Sequence, residues 1–132
     1  MWRTPPWNCS NRTLAVDSRG KILTVEQAVQ RAAGRSVRVV SGHFDPLLPE
    51  HARRLDELAA PGALLVVVVT DPPEPILPAR ARAELVAALR VVDCVVLGPG
   101  ASIPADAVFD ETQEDMRRAR DFMTHVRARK GG

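Results

Sequence analysis

The chain has 132 residues, 45% of them hydrophobic, which is enough for one domain with a core that needs no disulfide framework. Its net charge of +2 is unevenly distributed: residues 1–41 carry seven Lys or Arg against two Asp or Glu, whereas residues 42–110 carry five against ten. An acidic centre argues against a nucleic-acid-binding face, and no apolar run has the length of a membrane span. Without a recognisable secretory signal, we expect a cytoplasmic protein that binds neither nucleic acid nor membrane.

The predicted elements alternate between helices and strands after an irregular segment at residues 1–20. Thr24 and Gln27 have the spacing of a capping box at the start of a helix, and Gly34 is suited to end that helix. Short Val- and Leu-rich runs indicate strands, whereas apolar residues spaced by three and four indicate helices. In chain order, the predicted elements are a helix at 25–33, a strand at 37–41, a helix at 49–60, a strand at 64–70, a helix at 79–90, strands at 94–97 and 107–109, and a helix at 111–129.

The run at residues 64–70 is the clearest strand, because it is apolar on both faces and too short for most buried helices. A strand of this kind belongs to a parallel sheet that is covered on both sides, and the alternation of helices and strands leads to the same arrangement. We therefore predict an α/β fold. Residues 21–132 form a single Rossmann-like, three-layer domain with a short parallel sheet and a C-terminal helix at 111–129.

The apolar residues of two predicted helices indicate which face of each helix packs against other elements. Cys94, in the apolar strand, is expected to be buried. The inner face of the helix at 79–90 consists of Ala81, Leu85, Ala88 and Leu89. The C-terminal helix has an apolar stripe that fits a contact with the core as well as a contact with a second copy of the chain. That stripe consists of Met116, Ala119, Phe122, Met123 and Val126.

A strand, a glycine turn and a helix start follow one another at residues 37–51. Backbone amides at such a turn, together with the dipole of the following helix, favour an anion. Ligands of parallel α/β sheets bind beyond the carboxyl ends of the strands, which is where this turn is predicted to lie. The turn consists of Ser41, Gly42, His43, Phe44 and Asp45, and it predicts a phosphate site.

The order of these motifs resembles the cytidylyltransferase-like nucleotidyltransferases, and most of all the adenylyltransferase domain of ADP-heptose synthase. The resemblance rests on Gly42-x-Phe44-Asp45, His51, Asp71 after a buried strand, and the segment 82–96. Enzymes of this family join an NTP, with Mg²⁺, to a phosphorylated small molecule such as a sugar phosphate and release pyrophosphate. The resemblance implies a catalytic role for His51, and His43, at a variable position of the motif, is a second catalytic candidate that would compensate for a missing histidine. It implies nucleotide or phosphate contacts for Ser41, Gly42, His43, Phe44, Asp45, His51, Asp71 and Arg82.

The family motif Gly-x-Phe-Asp-x-x-His-x-Gly-His is incomplete in this chain. Leu48 stands at the position of the first motif histidine and cannot donate a hydrogen bond. Glu50 stands at the position of the motif glycine, where it adds bulk and a negative charge near the expected phosphates. The loop at 71–79 also lacks the lysine of the heptose-type members. This degeneracy predicts a nucleotide- or sugar-phosphate-binding or interaction protein in which catalysis is weak or lost.

Other functions stay open, and so does the question of whether the chain is an enzyme. One alternative is an active nucleotidyltransferase that uses His43, His51 and Arg82 with Mg²⁺ and an NTP, without a metal site formed by the protein itself. Another is a dimeric assembly module, which pairs with a second copy or with another protein.

Five of the predicted site residues have structural alternatives as well, and Gly42 is then only a turn glycine. His51 is then a histidine on a helix surface, and Arg82 is an exposed arginine that pairs with Glu84 or Asp71. Asp71 is then the first residue of a loop. Asp45 is then a brace of its turn.

Overall fold

The computed structural model describes residues 17–98 and 103–131, with side chains described up to residue 129. Residues 1–16 of the predicted irregular segment lie outside the described residues, and Ser18–Lys21 form a single 3₁₀ turn. The strands are β1 (Ile22–Leu23), β2 (Ser36–Gly42), β3 (Ala63–Val69), β4 (Cys94–Leu97) and β5 (Ala107–Asp110). The helices are α1 (Val25–Ala32), α2 (Pro49–Leu58), α3 (Ala79–Ala87) and α4 (Thr112–Gly131).

The five described strands form one parallel sheet in the order β1-β4-β3-β2-β5. β2 and β3 pair along their full length, from Ser36 opposite Ala63 to Gly42 opposite Val69. From β2 the chain continues to β3 and β4 on one side and returns at β5 on the other, so the strand order reverses between β2 and β5. The crevice at such a reversal is the usual ligand site of an open parallel sheet.

β3 lies between two apolar clusters, and its residues alternate between them. Leu65 and Val67 pack with side chains of α2 and α3, whereas Leu64 and Val66 pack with side chains of α1. Helices therefore cover both faces of the sheet, which confirms the predicted three-layer α/β fold. Cys94 is buried in the second cluster, as predicted.

The start of α1 is the predicted capping box. The amide of Gln27 donates to the Thr24 hydroxyl at 3.1 Å, and the amide of Thr24 donates to the Gln27 side chain at 3.0 Å. Gly34 follows the helix with a φ of 74°, in the left-handed region that glycine adopts without strain. The short strand β1 was not predicted, because two residues are too few to show a strand pattern.

The predicted inner face of α3 is wrong for Leu85 and Ala88, which are both exposed. The helix instead buries Arg82, Ala83, Val86 and Ala87. The helix carries apolar residues on most of its sides, so its apolar pattern does not define which side faces the core. The charged Arg82 can be buried because hydrogen bonds to other segments satisfy its guanidinium.

The predicted apolar stripe of the C-terminal helix is not its most buried face. Met116 is 43% exposed, whereas Glu111, Asp115 and Arg118 are buried. A charged side chain is buried where other elements supply its partners, and the pattern of a single helix does not show those partners. No helix within the described ranges, including the 20-residue α4, combines the length and the apolarity needed to cross a membrane.

The register of α3 predicts different effects for two neighbouring substitutions. Val86→Ala removes fully buried methyl groups, so we expect the free energy of unfolding to fall by about 2 kcal/mol. Leu85→Ala, at a 43% exposed position, serves as the control and is expected to change it by less than about 0.5 kcal/mol. Urea unfolding followed by circular dichroism measures both, and a larger loss for Leu85→Ala contradicts the observed register.

Candidate functional site

The turn after β2 lies at the reversal of strand order and is tightly packed. Phe44 has a positive φ of 50°, which is uncommon for a bulky residue, and its ring packs against that of His51 with centroids 5.1 Å apart. At Gly42, a Cβ atom would lie 2.8 Å from the Phe44 ring and 2.5 Å from Oδ2 of Asp115. Position 42 therefore requires glycine, because side chains from two directions fill the space beside its backbone.

Asp115 reaches from α4 into this turn. Its Oδ2 accepts hydrogen bonds from the backbone amides of His43 and Phe44, at 2.9 and 3.3 Å. Its Oδ1 lies 2.8 Å from Nε2 of His51 and 2.6 Å from Nη1 of Arg118. The side chain of Asp115 is only 1% exposed. Four donors from the turn, from α2 and from α4 thus meet at one buried carboxylate.

The second ring nitrogen of His51 fixes its role in this cluster. Nδ1 of His51 accepts a hydrogen bond from the backbone amide of Leu48 at 2.9 Å. A ring nitrogen that accepts carries no proton, so Nε2 carries the proton and donates it to Asp115. His51 is 2% exposed, so the alternative of a helix-surface histidine is wrong. Its ring thus satisfies the N-cap amide at the start of α2, whereas the Leu48 side chain caps none of the amides that follow it.

The electrostatics of the cluster keep Asp115 ionised at neutral pH. Burial alone raises the pKa of its carboxyl, but hydrogen bonds from His51, Arg118 and the amide of Phe44 lower the pKa by more, so it lies below its usual value. These hydrogen bonds replace the water that the buried carboxylate has lost.

Arg118 joins this cluster to two further acids. Its Nε lies 3.5 Å from a carboxylate oxygen of Glu50, and its Nη2 lies 3.7 Å from one of Glu111. Glu111 in turn accepts a hydrogen bond from Arg54 at 3.1 Å. Within the described residues, Nε of Arg118 is the buried side-chain polar atom without a hydrogen bond. The predicted repulsion of phosphate by Glu50 is therefore reduced, because Arg118 partly neutralises this carboxylate.

Arg82 forms a second buried cluster on the other side of the turn. Its Nη1 donates to the carbonyl oxygens of His43 and Thr70 at 3.1 and 2.8 Å, and its Nε donates to that of Leu77 at 3.0 Å. Its Nη2 lies 2.6 Å from the Asp71 carboxylate. Arg82 is 1% exposed, so the alternative of an exposed arginine is wrong, although its pairing with Asp71 is confirmed.

Asp45 braces a neighbouring loop. Its two carboxylate oxygens accept hydrogen bonds from the backbone amides of Ile76 and Leu77, at 2.6 and 2.9 Å. Asp45 and Arg82 thus hold the β2–α2 turn against the loop that leads into α3. Asp71 begins that loop, in agreement with its structural alternative.

Two cavities border α4 near this turn. The first, of about 260 Å³, lies between the β2–α2 turn, the β3–α3 loop and α4, and its lining includes His43, Pro73, Ile76 and Met116. Burial lowers the pKa of His43, so its imidazole is neutral at pH 7. The second, of about 300 Å³, lies between the start of α2 and α4. A larger hollow of about 370 Å³ lies at the opposite end of β2, away from the predicted site residues.

The structure brings all the predicted site residues to the carboxyl edge of the sheet, but the sequence missed Glu111, Asp115 and Arg118. The backbone of Ser41 also belongs to this edge, because its carbonyl oxygen accepts from the amide of Glu111 at 2.8 Å. The three missed residues are spaced by four and three, which places them on one side of a helix. This spacing of charged residues is the signal that the sequence held.

The close packing at Gly42 predicts a large effect for one added methyl group. Gly42→Ala pushes against Asp115 and the Phe44 ring, so we expect the free energy of unfolding to fall by at least about 2 kcal/mol. Gly20→Ala is the matched control, because a Cβ at Gly20 would meet no atom within 4 Å. Thermal unfolding of the two variants provides the comparison, and equal melting temperatures would show that the turn yields without strain.

The pKa of Asp115 predicts how stability depends on pH. A carboxyl whose pKa is lower in the folded chain stabilises the fold above its unfolded value of 3.8, and this contribution disappears as the pH falls through the folded pKa. At pH 7 we expect Asp115→Asn to lower the free energy of unfolding by about 3 kcal/mol, a difference that shrinks below about pH 4. Urea titrations at several pH values test this, with the exposed Glu114→Gln as the control. A difference that is independent of pH would contradict the assigned ionisation.

Comparison with known proteins identifies relatives with one shared name. No protein-family model matches the chain. The FAD synthase of Methanohalophilus mahii is 34% identical over an alignment of 109 residues that covers 67% of this chain and 77% of that protein. The FAD synthases of Archaeoglobus profundus and Haloterrigena turkmenica are 41% and 39% identical over 69 and 66 residues. These two matches cover 44% and 46% of the relatives, so the chain matches less than half of their length.

These relatives support the nucleotidyltransferase superfamily that the turn and helix motifs predicted. They carry the name FAD synthase, so they do not support the finer assignment to the adenylyltransferase domain of ADP-heptose synthase. The alignment covers most of the Methanohalophilus protein. The fold is the predicted three-layer arrangement, in which helices cover both faces of a parallel sheet. The chain therefore belongs to the FAD synthase family of cytidylyltransferase-like nucleotidyltransferases.

Proposed function

We propose that this chain binds a nucleotide at the carboxyl edge of its sheet and transfers the nucleotidyl group slowly or not at all. The observation that carries the slow or absent transfer is that the predicted phosphate-binding side chains are engaged within the protein. His51 is hydrogen-bonded to Asp115, Arg82 to three carbonyl oxygens and Asp71, and Asp45 to two loop amides.

The chemistry of nucleotidyl transfer explains why such a site is slow. The reaction needs hydrogen-bond donors and positive charge placed where negative charge develops on the phosphates. Leu48 supplies no donor, and Glu50 lies 3.5 Å from Arg118, whose positive charge it partly cancels. The loss of one such donor lowers the rate of an enzyme by about 10²- to 10³-fold.

The first cavity supports the binding of a flat ring. Its volume of about 260 Å³ is slightly below the usual range of ligand pockets, and Pro73, Ile76 and Met116 give it apolar walls. The neutral imidazole of His43 offers hydrogen bonding without charge. An adenine or a flavin ring is consistent with such walls.

Magnesium would have to be bound mainly by the nucleotide. Among the described residues, no group of three or more His, Cys, Asp or Glu side chains is placed to hold a metal ion. Mg²⁺ commonly keeps several waters and binds the phosphates of its nucleotide, so a preformed protein site is not needed. We expect Mg²⁺ to enter as a complex with the NTP.

The name of the relatives suggests a flavin phosphate as the acceptor, in place of a sugar phosphate. FAD consists of an AMP unit joined to a flavin phosphate, so its formation from ATP is a nucleotidyl transfer. The 34% identity to the Methanohalophilus protein also favours the alternative of an active enzyme. A rate measurement separates a slow enzyme from an active one.

The experiment compares FAD formation from FMN and Mg·ATP by this chain and by the Methanohalophilus enzyme. We expect the wild-type chain to be slower by about 10²-fold or more, because Leu48 and Glu50 replace the motif histidine and glycine. Leu48→His with Glu50→Gly restores the motif and is expected to raise the rate by at least about tenfold. The matched control, Leu48→Ala with Glu50→Gly, removes the same side chains without adding a donor.

Calorimetry with Mg·ATP and with FMN completes the test. Binding of either ligand by the wild type supports the nucleotide site, and the absence of binding by both rejects it. A wild-type rate within about tenfold of the Methanohalophilus enzyme would establish the active alternative and reject the degenerate site.

A further inference from the structure

The donors around Asp115 have the composition of a phosphate-binding site. Two successive backbone amides of a turn form a concave group that binds anions, and the amides of His43 and Phe44 are such a pair. The N–H of His51 and the guanidinium of Arg118 approach the same point from α2 and α4. Arginine suits phosphate as well as carboxylate, because its planar donors match the oxygens of both.

We propose that these donors form an anion site whose resident anion is the carboxylate of Asp115, and that a phosphate-bearing ligand binds by exchanging with it. The class of ligand in this inference, a phosphate-bearing molecule, rests on the proposed function. Asp115 then acts as a competitor built into the chain. The apparent affinity for phosphate is the intrinsic affinity multiplied by the fraction of molecules in which the carboxylate has left the site.

The attachment of α4 makes such an exchange feasible. Glu111, Asp115 and Arg118 form the buried side of this segment, whereas the apolar Met116 is 43% exposed. The contact with the turn is therefore made by charged groups. Buried ion pairs add less net stability than apolar packing of similar volume, because the lost hydration offsets much of their attraction.

The two cavities border residues that donate to Asp115, although Asp115 itself lines neither of them. The first cavity is lined by His43, whose amide donates to Asp115, and the second is lined by Arg118, whose guanidinium does so. From either cavity, an incoming anion can thus approach a residue that holds the carboxylate.

Arg118 retains a donor that the carboxylate does not use. Its buried Nε forms no hydrogen bond, although Glu50 lies 3.5 Å away. A carboxylate has two oxygens, whereas a terminal phosphoryl group has three, so phosphate has an acceptor for this additional donor. An unpaired buried donor is unfavourable, and its presence is therefore consistent with a larger anion than the resident one.

The test is the binding of inorganic pyrophosphate, measured by calorimetry at constant ionic strength. We expect Asp115→Ala and Asp115→Asn to bind pyrophosphate at least about tenfold more tightly than the wild type, because both remove the charge of the competing carboxylate. Glu114→Gln is the control for a change in net charge, since Glu114 is an exposed acid on the same helix and pairs with Arg117. The control is expected to bind as the wild type does, within about twofold.

A folded Asp115 variant with the affinity of the wild type would overturn the proposal. If both variants fail to fold, pyrophosphate is titrated into the ¹⁵N-labelled wild-type protein. Shifts of the His43 and Phe44 amide resonances then support the exchange, and resonances that stay fixed at saturating pyrophosphate reject it.

The outcomes distinguish this inference from the proposed function. Binding of ATP or FMN by the wild type, with no gain of pyrophosphate affinity in the Asp115 variants, supports the nucleotide site and rejects the exchange. A gain of pyrophosphate affinity without any binding of ATP or FMN supports the exchange and rejects the nucleotide site.

Discussion

The carboxylate of Asp115 holds together the β2–α2 turn, the start of α2 and the helix α4. Its removal would leave two amides, an imidazole N–H and a guanidinium buried without their acceptor, and each unsatisfied group is unfavourable by about 1–3 kcal/mol. The conformation of the turn depends on the same group, because Gly42 leaves the space that Oδ2 occupies. The geometry of the carboxyl edge therefore depends on one charged side chain from the last helix.

The sheet could be predicted from the sequence because β3 is apolar on both faces, and α1 because Thr24 and Gln27 form a local capping box. Both signals lie within one short segment. The buried face of α4 could not be predicted in this way, since the partners of Asp115 lie 64 and 72 residues earlier in the chain at His51 and His43. Apolar patterns place a charged residue at the surface unless the positions of its partners are known.

The motif residues also have structural roles that do not require a substrate. Phe44 packs on His51, Asp45 fixes the loop before α3, and Gly42 leaves room for Asp115. A match to the motif therefore shows the family and the local fold more directly than it shows activity. The changes at Leu48 and Glu50 lie at positions where the motif supplies chemistry, and Glu50 is compensated by Arg118 within the same cluster.

A site built from buried donors needs an acceptor whether or not its ligand is bound. Water, an ion or a side chain has to satisfy those donors in the free protein, because leaving them unpaired is unfavourable. A resident carboxylate that stabilises the free fold opposes the entry of phosphate by the same amount. Stability and affinity thus depend on Asp115 with opposite sign. If Asp115 had a purely structural role, its substitution would change the stability of the fold without changing the affinity for phosphate. The two quantities together therefore show which role this carboxylate has.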